Sequence, residues 1–261
     1  MKEQAYILMR EMEDAFWWYR ARREILCDVI ARHVPAGAEI LDYGSGTGAT
    51  ARALRSAGYS VTAGDVSDHS LSACRDAGLT TIDLRSQELA PCSTDAILAG
   101  DVLEHVQDDV ALLGELRDAL RSDGWLILTV PAYSFLWSGE DYVSEHVRRY
   151  TRRGLLRTLR FGGFETIWCS YFNTLLFPGI ATTLLARRLL HRRGQRQSNV
   201  SKLPDQLNDL LFRIFRLEKR ALRRVRFPFG LSILVIARPA KPDRLANGVG
   251  LSIHTSDVNA G

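Results

Sequence analysis

The sequence is poor in cysteine, and its first twenty residues do not predict a secretory leader. Four cysteines are scattered over 261 residues, and no two of them form a Cys-x-x-Cys pair. This scarcity argues against a disulfide framework and indicates free thiols in a reducing compartment. Residues 1–20 mix charged and aromatic side chains and lack the apolar core of a signal peptide. We therefore expect a cytoplasmic protein.

Two further features limit the class of protein. No close group of His, Cys and acidic residues has the spacing of metal ligands, so the sequence predicts no metal site. No internal repeat is visible either, which argues against a repeat architecture. A length of 261 residues fits one large domain, or one domain that carries an insertion.

Acidic residues are scarce in the range 147–226. This range holds 19 Lys and Arg against 4 Asp and Glu, whereas the remainder holds 15 against 26. The formal net charge of +4 hides this asymmetry. Either the basic range meets an anionic partner, or it forms the solvated surface of an arginine-rich protein.

Glycines cluster after an apolar, strand-like run. The run 38–41 ends in Asp42 and leads into Gly44, Gly46 and Gly48, and a helical pattern follows at once. Glycine allows a sharp turn and the close approach of a ligand to the backbone. The helix behind such a turn offers unpaired N–H groups and a partial positive charge. The stretch therefore predicts a site for a nucleotide-type cofactor.

Two cofactors compete for this site. Gly44, Gly46 and Ala49 fit the dinucleotide pattern G-x-G-x-x-G/A, and Asp65 follows at the distance of a ribose-binding acid. Asp42 favours a different ligand, because a carboxylate beside the turn repels a pyrophosphate but suits a cation. S-adenosylmethionine (SAM) carries an ammonium and a sulfonium group. We therefore predict SAM rather than NAD.

Strand-like and helical patterns alternate along the first half of the chain. Strands are predicted near 38–43, 60–65, 80–82, 95–100 and 125–130. This alternation predicts a parallel, doubly wound α/β sheet. Ligands of such sheets bind beyond the carboxyl ends of the strands, so we expect Asp42, Asp65, Gly100 and Pro131 at one edge.

These motifs resemble those of class I SAM-dependent methyltransferases. Leu41–Gly48 and Gly64–Ser67 are similar to the first two family motifs, and Asp101–Val106 resembles the ubiquinone-type O-methyltransferase branch. Thr129–Tyr133 and His146–Thr151 resemble bacterial methyltransferases of surface-polysaccharide and lipid gene clusters. The resemblance covers about residues 14–170. It implies SAM as cofactor and S-adenosylhomocysteine as product.

The resemblance also implies an architecture. It predicts a Rossmann-like, mostly parallel sheet of seven strands, in which strand 7 is antiparallel and follows a helical insertion after strand 6. The predicted divisions are an N-terminal helical lid at 1–34, a methyltransferase domain at 35–238, the insertion at 173–227, and a disordered tail at 239–261.

The cofactor would contact the glycine turn, the ends of strands 2 and 4, and the N-terminal helix. The predicted residues are Arg22, Asp42, Gly44, Ser45, Gly46, Gly48, Asp65, Val66, Gly100, Asp101 and His105. Arg22 would pair with the carboxylate of the cofactor. Relatives place an acid and then a small residue after strand 3, facing the adenine. Here Asp83 is followed by Leu84, which departs from that pattern.

A hydroxyl acceptor needs a base near the segments that follow strands 4 and 5. The candidates there are Asp101, Glu104, His105, Asp141, Glu145 and His146. We predict that His146 is the base, because its segment should border the acceptor. A histidine that only holds the loop through a backbone hydrogen bond is the competing interpretation.

The predicted insertion is both apolar and basic. Its first part, Tyr171–Ala186, holds 16 nearly uncharged residues, fewer than the roughly 20 that span a bilayer. A second helix near 205–225 is amphipathic, with leucines on one face and arginines on the others. It could contact an anionic membrane, cap a lipid-binding pocket, or pack within a helical hairpin or homodimer.

Three functions remain open from the sequence. The leading one is methyl transfer from SAM, at oxygen, to a small-molecule or a lipid- or sugar-linked acceptor. The second is RNA methylation, which the basic insertion suggests. It is disfavoured because no Asn/Asp-Pro-Pro-aromatic motif follows strand 4 and because few aromatics interleave the arginines of 187–226. The third is a SAM-binding protein that catalyses a non-methylating reaction such as cyclisation.

Overall fold

The computed structural model describes residues 10–190 and 203–241, which form one sheet of seven strands with surrounding helices. The strands are β1 (Glu39–Tyr43), β2 (Ser60–Asp65), β3 (Thr80–Asp83), β4 (Thr94–Gly100), β5 (Leu120–Pro131), β6 (Phe164–Phe172) and β7 (Ser232–Pro239). Their order is β3-β2-β1-β4-β5-β7-β6, and β7 runs antiparallel to both of its neighbours. The predicted fold class is confirmed.

Helices connect the strands. They are α1 (Trp17–His33), α2 (Ala49–Ser56), α3 (Asp68–Asp76), α4 (Asp109–Ala119), α5 (Gly139–Val143), α6 (Arg152–Phe161), α7 (Phe177–Leu190) and α8 (Asp205–Ala221). Short 3₁₀ turns occupy Leu103–His105 and Ser134–Leu136. Both α7 and α8 lie between β6 and β7, where the sequence predicts the insertion.

Side-chain caps mark where several helices begin. Ser67 accepts a hydrogen bond from the backbone at the start of α3, Asp108 at the start of α4, and Thr151 at the start of α6. Such caps satisfy N–H groups that the helix itself leaves unpaired, and each is typically worth about 1 kcal/mol. The local sequence therefore specifies these three starts.

The strand β5 begins earlier than its sequence pattern predicts. Leu120 already pairs with Thr94, and the register then shifts so that Trp125 pairs with Ala96. The irregularity includes Gly124, where an added Cβ would lie 2.9 Å from the Arg121 carbonyl oxygen. The glycine therefore permits a local kink, and β5 regains a regular pairing before it reaches the carboxyl edge.

Apolar side chains cover both faces of the sheet. On one face, α1, α2 and α8 bury Leu26, Leu54 and Phe215. On the other face, α4 and α6 bury Leu116 and Leu159. Burial of one such side chain contributes about 1.5–3 kcal/mol. The two layers hold the strands rigidly and leave their carboxyl ends free for a site.

The helix α8 packs against α1. Asn208 accepts a hydrogen bond from the Trp17 backbone N–H at 2.9 Å, which caps the start of α1 from outside the helix. The Phe215 ring is fully buried, with its centroid 5.8 Å from that of Trp17. Arg216 forms a 2.7 Å ion pair with Glu24. The N-terminal helix is therefore held by the segment that precedes β7.

The predicted apolar face of α8 remains largely exposed. Three leucines of this face, Leu207, Leu210 and Leu217, are 42%, 53% and 60% exposed, and Val225, which follows the helix, is 50% exposed. The leucines are exposed because α8 turns a neighbouring face with Phe215 toward the core. The arginines also divide. Arg216 and Arg223 pair with Glu24 and Asp28 of α1, whereas Arg213, Arg220 and Arg224 form no ion pair within residues 10–190 and 203–241.

Parts of three predictions lie outside the described residues. These are the first nine residues of the lid, residues 191–202 of the insertion, and the tail from residue 242 onward. Among the described residues, no helix combines the length and apolar character needed to cross a membrane.

Candidate functional site

A cavity of about 690 Å³ opens at the carboxyl edge of the sheet, between α1, the glycine turn and the segments after β4 and β5. Most of the predicted site residues meet there. Those that line it are Arg22, Gly44, Ser45, Gly46, Asp65, Val66, Gly100, Asp101, His105 and His146. Asp42 and Gly48 are not among the described lining residues. The cavity therefore lies beyond the carboxyl ends of the strands, where the sequence predicts a ligand site.

The glycine turn needs its glycines for conformation and for space. Gly44 and Gly46 have φ of +73° and +54°, a region that other residues rarely adopt. A Cβ on Gly44 would lie 2.6 Å from Val102. Asp65 fastens the turn, since its Oδ2 accepts a 2.8 Å hydrogen bond from the Gly46 N–H. Its Oδ1 accepts another, of 2.9 Å, from Ser67.

Gly48 and Asp42 support the turn from behind. Gly48 begins α2 with φ of +86°, and a Cβ there would lie 2.8 Å from the Cys74 sulfur. Asp42 is buried, which raises the pKa of its carboxyl to about 7, although Arg22 opposes the shift. Its buried Oδ2 has no partner among the described atoms.

Arg22 crosses from α1 to the ends of β4 and β5. Its Nη2 lies 2.8 Å from Asp101 and donates a 3.0 Å hydrogen bond to Thr129 Oγ1. Gly100 makes room for it, because a Cβ there would lie 2.4 Å from that nitrogen. The buried Nε–H of Arg22 has no partner among the described residues. Asp101 itself adopts φ of +58°.

The N-terminal segment also contacts the glycine turn through Glu13, which the sequence does not predict as a site residue. Glu13 is buried, accepts a 2.5 Å hydrogen bond from Thr47 Oγ1, and forms a 3.0 Å ion pair with Arg52. Glu13 also lines the cavity. No local pattern singles out this glutamate, because its partners lie more than thirty residues away in the sequence.

The segment at the end of β3 differs from the family pattern. Asp83 forms a 2.9 Å ion pair with Arg85, whose hydrogen bonds lower the pKa of that carboxyl to about 2. Arg85 also pairs with Asp68. Leu84 rather than Asp83 lines the cavity, together with Val66. An apolar surface therefore stands where relatives place an acid.

His146 lies on the opposite side and is held through one ring nitrogen. Its Nδ1 is 2.9 Å from Oδ1 of Asp141, which is fully buried. Arg149 donates to both carboxylate oxygens, at 2.6 and 2.9 Å. Burial alone would raise the pKa of Asp141, but the hydrogen bonds from His146 and Arg149 outweigh it and lower the pKa.

Glu104 and His105 flank His146. The His105 ring centroid is 4.7 Å from that of His146, and burial, followed by the charge of His146, lowers the pKa of His105 to about 4. Glu104 is fully buried with both carboxylate oxygens unpartnered among the described atoms. Burial, reinforced by Asp101, raises its pKa. Both shifts favour the neutral form of the side chain.

These three residues also form a group that sequence spacing did not reveal. Glu104, His105 and His146 each bring one potential ligand atom within 4.8 Å of the others. Such a group could hold a divalent cation, which the sequence does not predict. The third member is more than forty residues from the others, so only the fold brings the set together.

An apolar wall completes the cavity. Ile180 and Leu184 of α7 and Leu231 before β7 line it. The start of α7 is anchored by an aromatic cluster, in which Phe177 packs on Phe229 and Tyr133, with ring centroids 5.4 and 6.1 Å away. The predicted insertion thus supplies part of the site.

Comparison with known proteins identifies the family of the chain. A family model described as a methyltransferase domain matches residues 17–173, more than half of the chain. Among curated relatives, a ubiquinone biosynthesis O-methyltransferase of Xylella fastidiosa (strain 9a5c) is 30% identical over 150 residues. The match covers 49% of this chain and 61% of the relative, so less than two thirds of that protein is represented.

Solved structures share the fold. A methyltransferase of Haloferax volcanii, in complex with the Trm112 methyltransferase activator, has a TM-score of 0.60 at 16% identity and covers 92% of this chain and 96% of that one. For Burkholderia thailandensis 1,6-didemethyltoxoflavin-N1-methyltransferase, with bound S-adenosylhomocysteine, the TM-score is 0.52 at 15% identity, covering 92% and 90%.

The sheet order, the glycine turn at its switch point and the family match agree with one another. They confirm the predicted SAM cofactor and the enzymatic class. The chain belongs to the class I SAM-dependent methyltransferases.

Proposed function

We propose that the protein transfers a methyl group from SAM to a hydroxyl oxygen of an amphipathic small-molecule or lipid- or sugar-linked acceptor. The observation that carries this proposal is a histidine held by a buried carboxylate in the same cavity as the glycine turn. The similarity to the ubiquinone biosynthesis O-methyltransferase of Xylella fastidiosa supports oxygen as the acceptor atom.

The residues around the glycine turn suit the amino-acid end of SAM. The unpartnered Nε–H of Arg22 could donate to a carboxylate. The buried Asp42 lies behind the turn, outside the described lining of the cavity. Asp65 ends β2 beside Val66 and could accept from ribose hydroxyls. Bound SAM supplies a methyl group on an activated sulfonium leaving group.

The protein would then orient the acceptor and remove its proton. Asp141 occupies Nδ1 of His146, which leaves Nε2 as the nitrogen available to act as a base. Alignment within the cavity contributes as well, since oriented reactants avoid much of the entropy of encounter. We propose that α1 is the lid, because Trp18, Tyr19 and Arg22 form one wall of the cavity.

The acceptor is proposed to be amphipathic because the cavity is lined by both polar and apolar side chains. His146 and Arg149 provide polar contacts, whereas Ile180 and Leu184 provide an apolar wall. A hydroxyl-bearing head would therefore face the histidine while an apolar portion packs on α7.

The exposed face of α8 is proposed to bring the enzyme to an anionic membrane surface. Arg213 is three residues from Leu210 and four from Leu217, and Arg220 is three from Leu217, so arginines border the exposed leucines. Such a face binds peripherally through apolar insertion and attraction to anionic lipids. Exposed leucines bordered by arginines suit the apolar and anionic parts of a membrane surface, which supports this contact over a solvated surface.

Replacing Gly100 with Ala tests the cofactor site. The new Cβ would displace the Arg22 guanidinium, so SAM affinity measured by calorimetry should fall roughly 10- to 100-fold, the value of one or two charged hydrogen bonds. The control is Gly114→Ala, which meets no atom within 4 Å and should bind SAM normally. Unchanged affinity in Gly100→Ala, or binding of NAD by the wild type, contradicts the proposal.

Replacing His146 with Ala tests the base. Turnover should fall on the order of 10²- to 10⁴-fold while SAM affinity stays near that of the wild type. Activity is measured as S-adenosylhomocysteine release with a hydroxyl acceptor found by screening phenols, glycosides and lipid extracts. The control is His33→Ala, because His33 contacts the Val29 carbonyl within α1. Full activity of His146→Ala would exclude the base role, and loss of folding would favour a structural one.

Co-sedimentation with vesicles tests the membrane contact. At low salt, sedimentation should rise with anionic lipid and should drop when Arg213, Arg220 and Arg224 are changed to Gln, since each contributes about 1 kcal/mol near an anionic surface. The matched control changes Arg153, Arg157 and Arg160, which are exposed on α6, to Gln. Equal losses in both variants would indicate a net-charge effect. No sedimentation of the wild type would refute the contact.

A further inference from the structure

The carboxylate of Asp141, near the cavity, accepts several hydrogen bonds. It is fully buried and accepts from Ser138, His146 and Arg149. The two oxygens differ in their partners. Oδ2 accepts from the Ser138 backbone N–H at 2.7 Å and from Arg149 Nη2 at 2.9 Å. Oδ1 faces His146 Nδ1 at 2.9 Å and Arg149 Nε at 2.6 Å.

We propose that Asp141 is a positioning residue that acts through His146, and that Arg149 in turn orients Asp141. The inference rests on the proposed role of His146 as the base. Asp141 would fix the tautomer of the imidazole, with the proton on Nδ1 and the lone pair on Nε2. It would also stabilise the imidazolium that forms when Nε2 takes a proton.

The proton and electron balance of the step is simple. The acceptor oxygen forms a bond to the methyl carbon, the carbon–sulfur bond breaks, and its electron pair stays on sulfur. The proton of the acceptor hydroxyl moves to His146 Nε2. His146 therefore gains one positive charge, which the Asp141 carboxylate at Nδ1 offsets.

The surrounding charges agree with this role. Among the described residues, Asp141 from α5, Arg149 from the loop before α6, and Glu104 and His105 from the turn after β4 lie close to His146. Burial lowers the pKa of His105 to about 4 and raises the pKa of Glu104, and both shifts favour the neutral side chain. Arg149 is paired with Asp141 and holds it ionised. The ionised carboxylate is therefore the group placed to stabilise a charged His146.

A purely structural role is the competing explanation, because Asp141 also completes a capping box with Ser138 at the start of α5. The two roles use different atoms. The cap needs Oδ2 alone, whereas His146 needs Oδ1 and the negative charge. Asp141→Asn keeps the size of the side chain and one oxygen, but it removes the charge. It is therefore the informative substitution.

Nuclear magnetic resonance of the six histidines supplies a readout that needs no acceptor. With ¹⁵N-labelled imidazoles, and with His146 assigned from the signal lost in His146→Ala, the neutral ring should carry its proton on Nδ1. In Asp141→Asn its pKa should fall by about 1–3 units, because an imidazolium loses its carboxylate partner. The control is Tyr142→Ala, which alters an exposed side chain of α5 and should leave His146 unchanged.

Kinetics then test whether Asp141 acts through His146. Asp141→Asn should lower kcat on the order of 10²-fold or more, with little change in the KM for SAM. In the double variant with His146→Ala, the second substitution should add almost nothing, since residues of one catalytic unit are strongly non-additive.

Specific results would overturn the inference. They are an Nε2–H tautomer in the wild type, an unchanged His146 pKa in Asp141→Asn, or additive losses in the double variant. A different result would instead assign His146 to a metal. In that case a chelator would remove the activity, a divalent cation would restore it in the wild type, and the same cation would fail to restore it in Glu104→Gln. Failure of the base role has a different signature, because His146→Ala would then stay active while the resonance results held.

Discussion

The ion pair between Arg22 and Asp101 is the contact on which the site depends. It joins α1 to the carboxyl end of β4 at 2.8 Å, with the two side chains 12% and 22% exposed. Gly100 leaves space for the guanidinium, and Thr129 hydrogen-bonds both partners. Loss of one partner from a buried pair is costly because the other charge is left uncompensated. The N-terminal helix is therefore a structural wall of the cavity, and α8 holds it from outside through Asn208 and Phe215.

Charge is distributed unevenly across the cavity. The glycine-turn side presents Arg22 with an unused N–H, which suits a carboxylate. On the proposed acceptor side, burial raises the pKa of Glu104 and lowers that of His105, while the carboxylate of Asp141 is paired with Arg149. Because the Arg149 and Asp141 side chains are almost entirely buried, their charges act more strongly than they would in solution. We therefore propose that the fold provides cofactor binding at one end of the cavity and a base at the other.

The sequence predicted the parts of this arrangement that depend on local chemistry. Alternating strands and helices, and three glycines with an acid on either side, are short-range signals, so the fold was predictable, and ten of the twelve predicted site residues line the cavity. Contacts between distant segments were not predictable. The contacts of Glu13 with Thr47 and of His105 with His146 depend on how separate segments meet. The amphipathic pattern of α8 was visible, but it did not show which face turns toward α1, because Phe215 and the leucines are both apolar.

The most direct test of the account is a crystal structure of the protein with S-adenosylhomocysteine. The account predicts that the amino-acid end contacts Arg22 and the 44–46 turn, that the ribose contacts Asp65, and that the adenine packs between Val66 and Leu84. The sulfur should face the part of the cavity that contains His146. A ligand whose adenine lies against Ile180 and Leu184, or whose sulfur points away from His146, would contradict the division of the cavity into a cofactor side and an acceptor side.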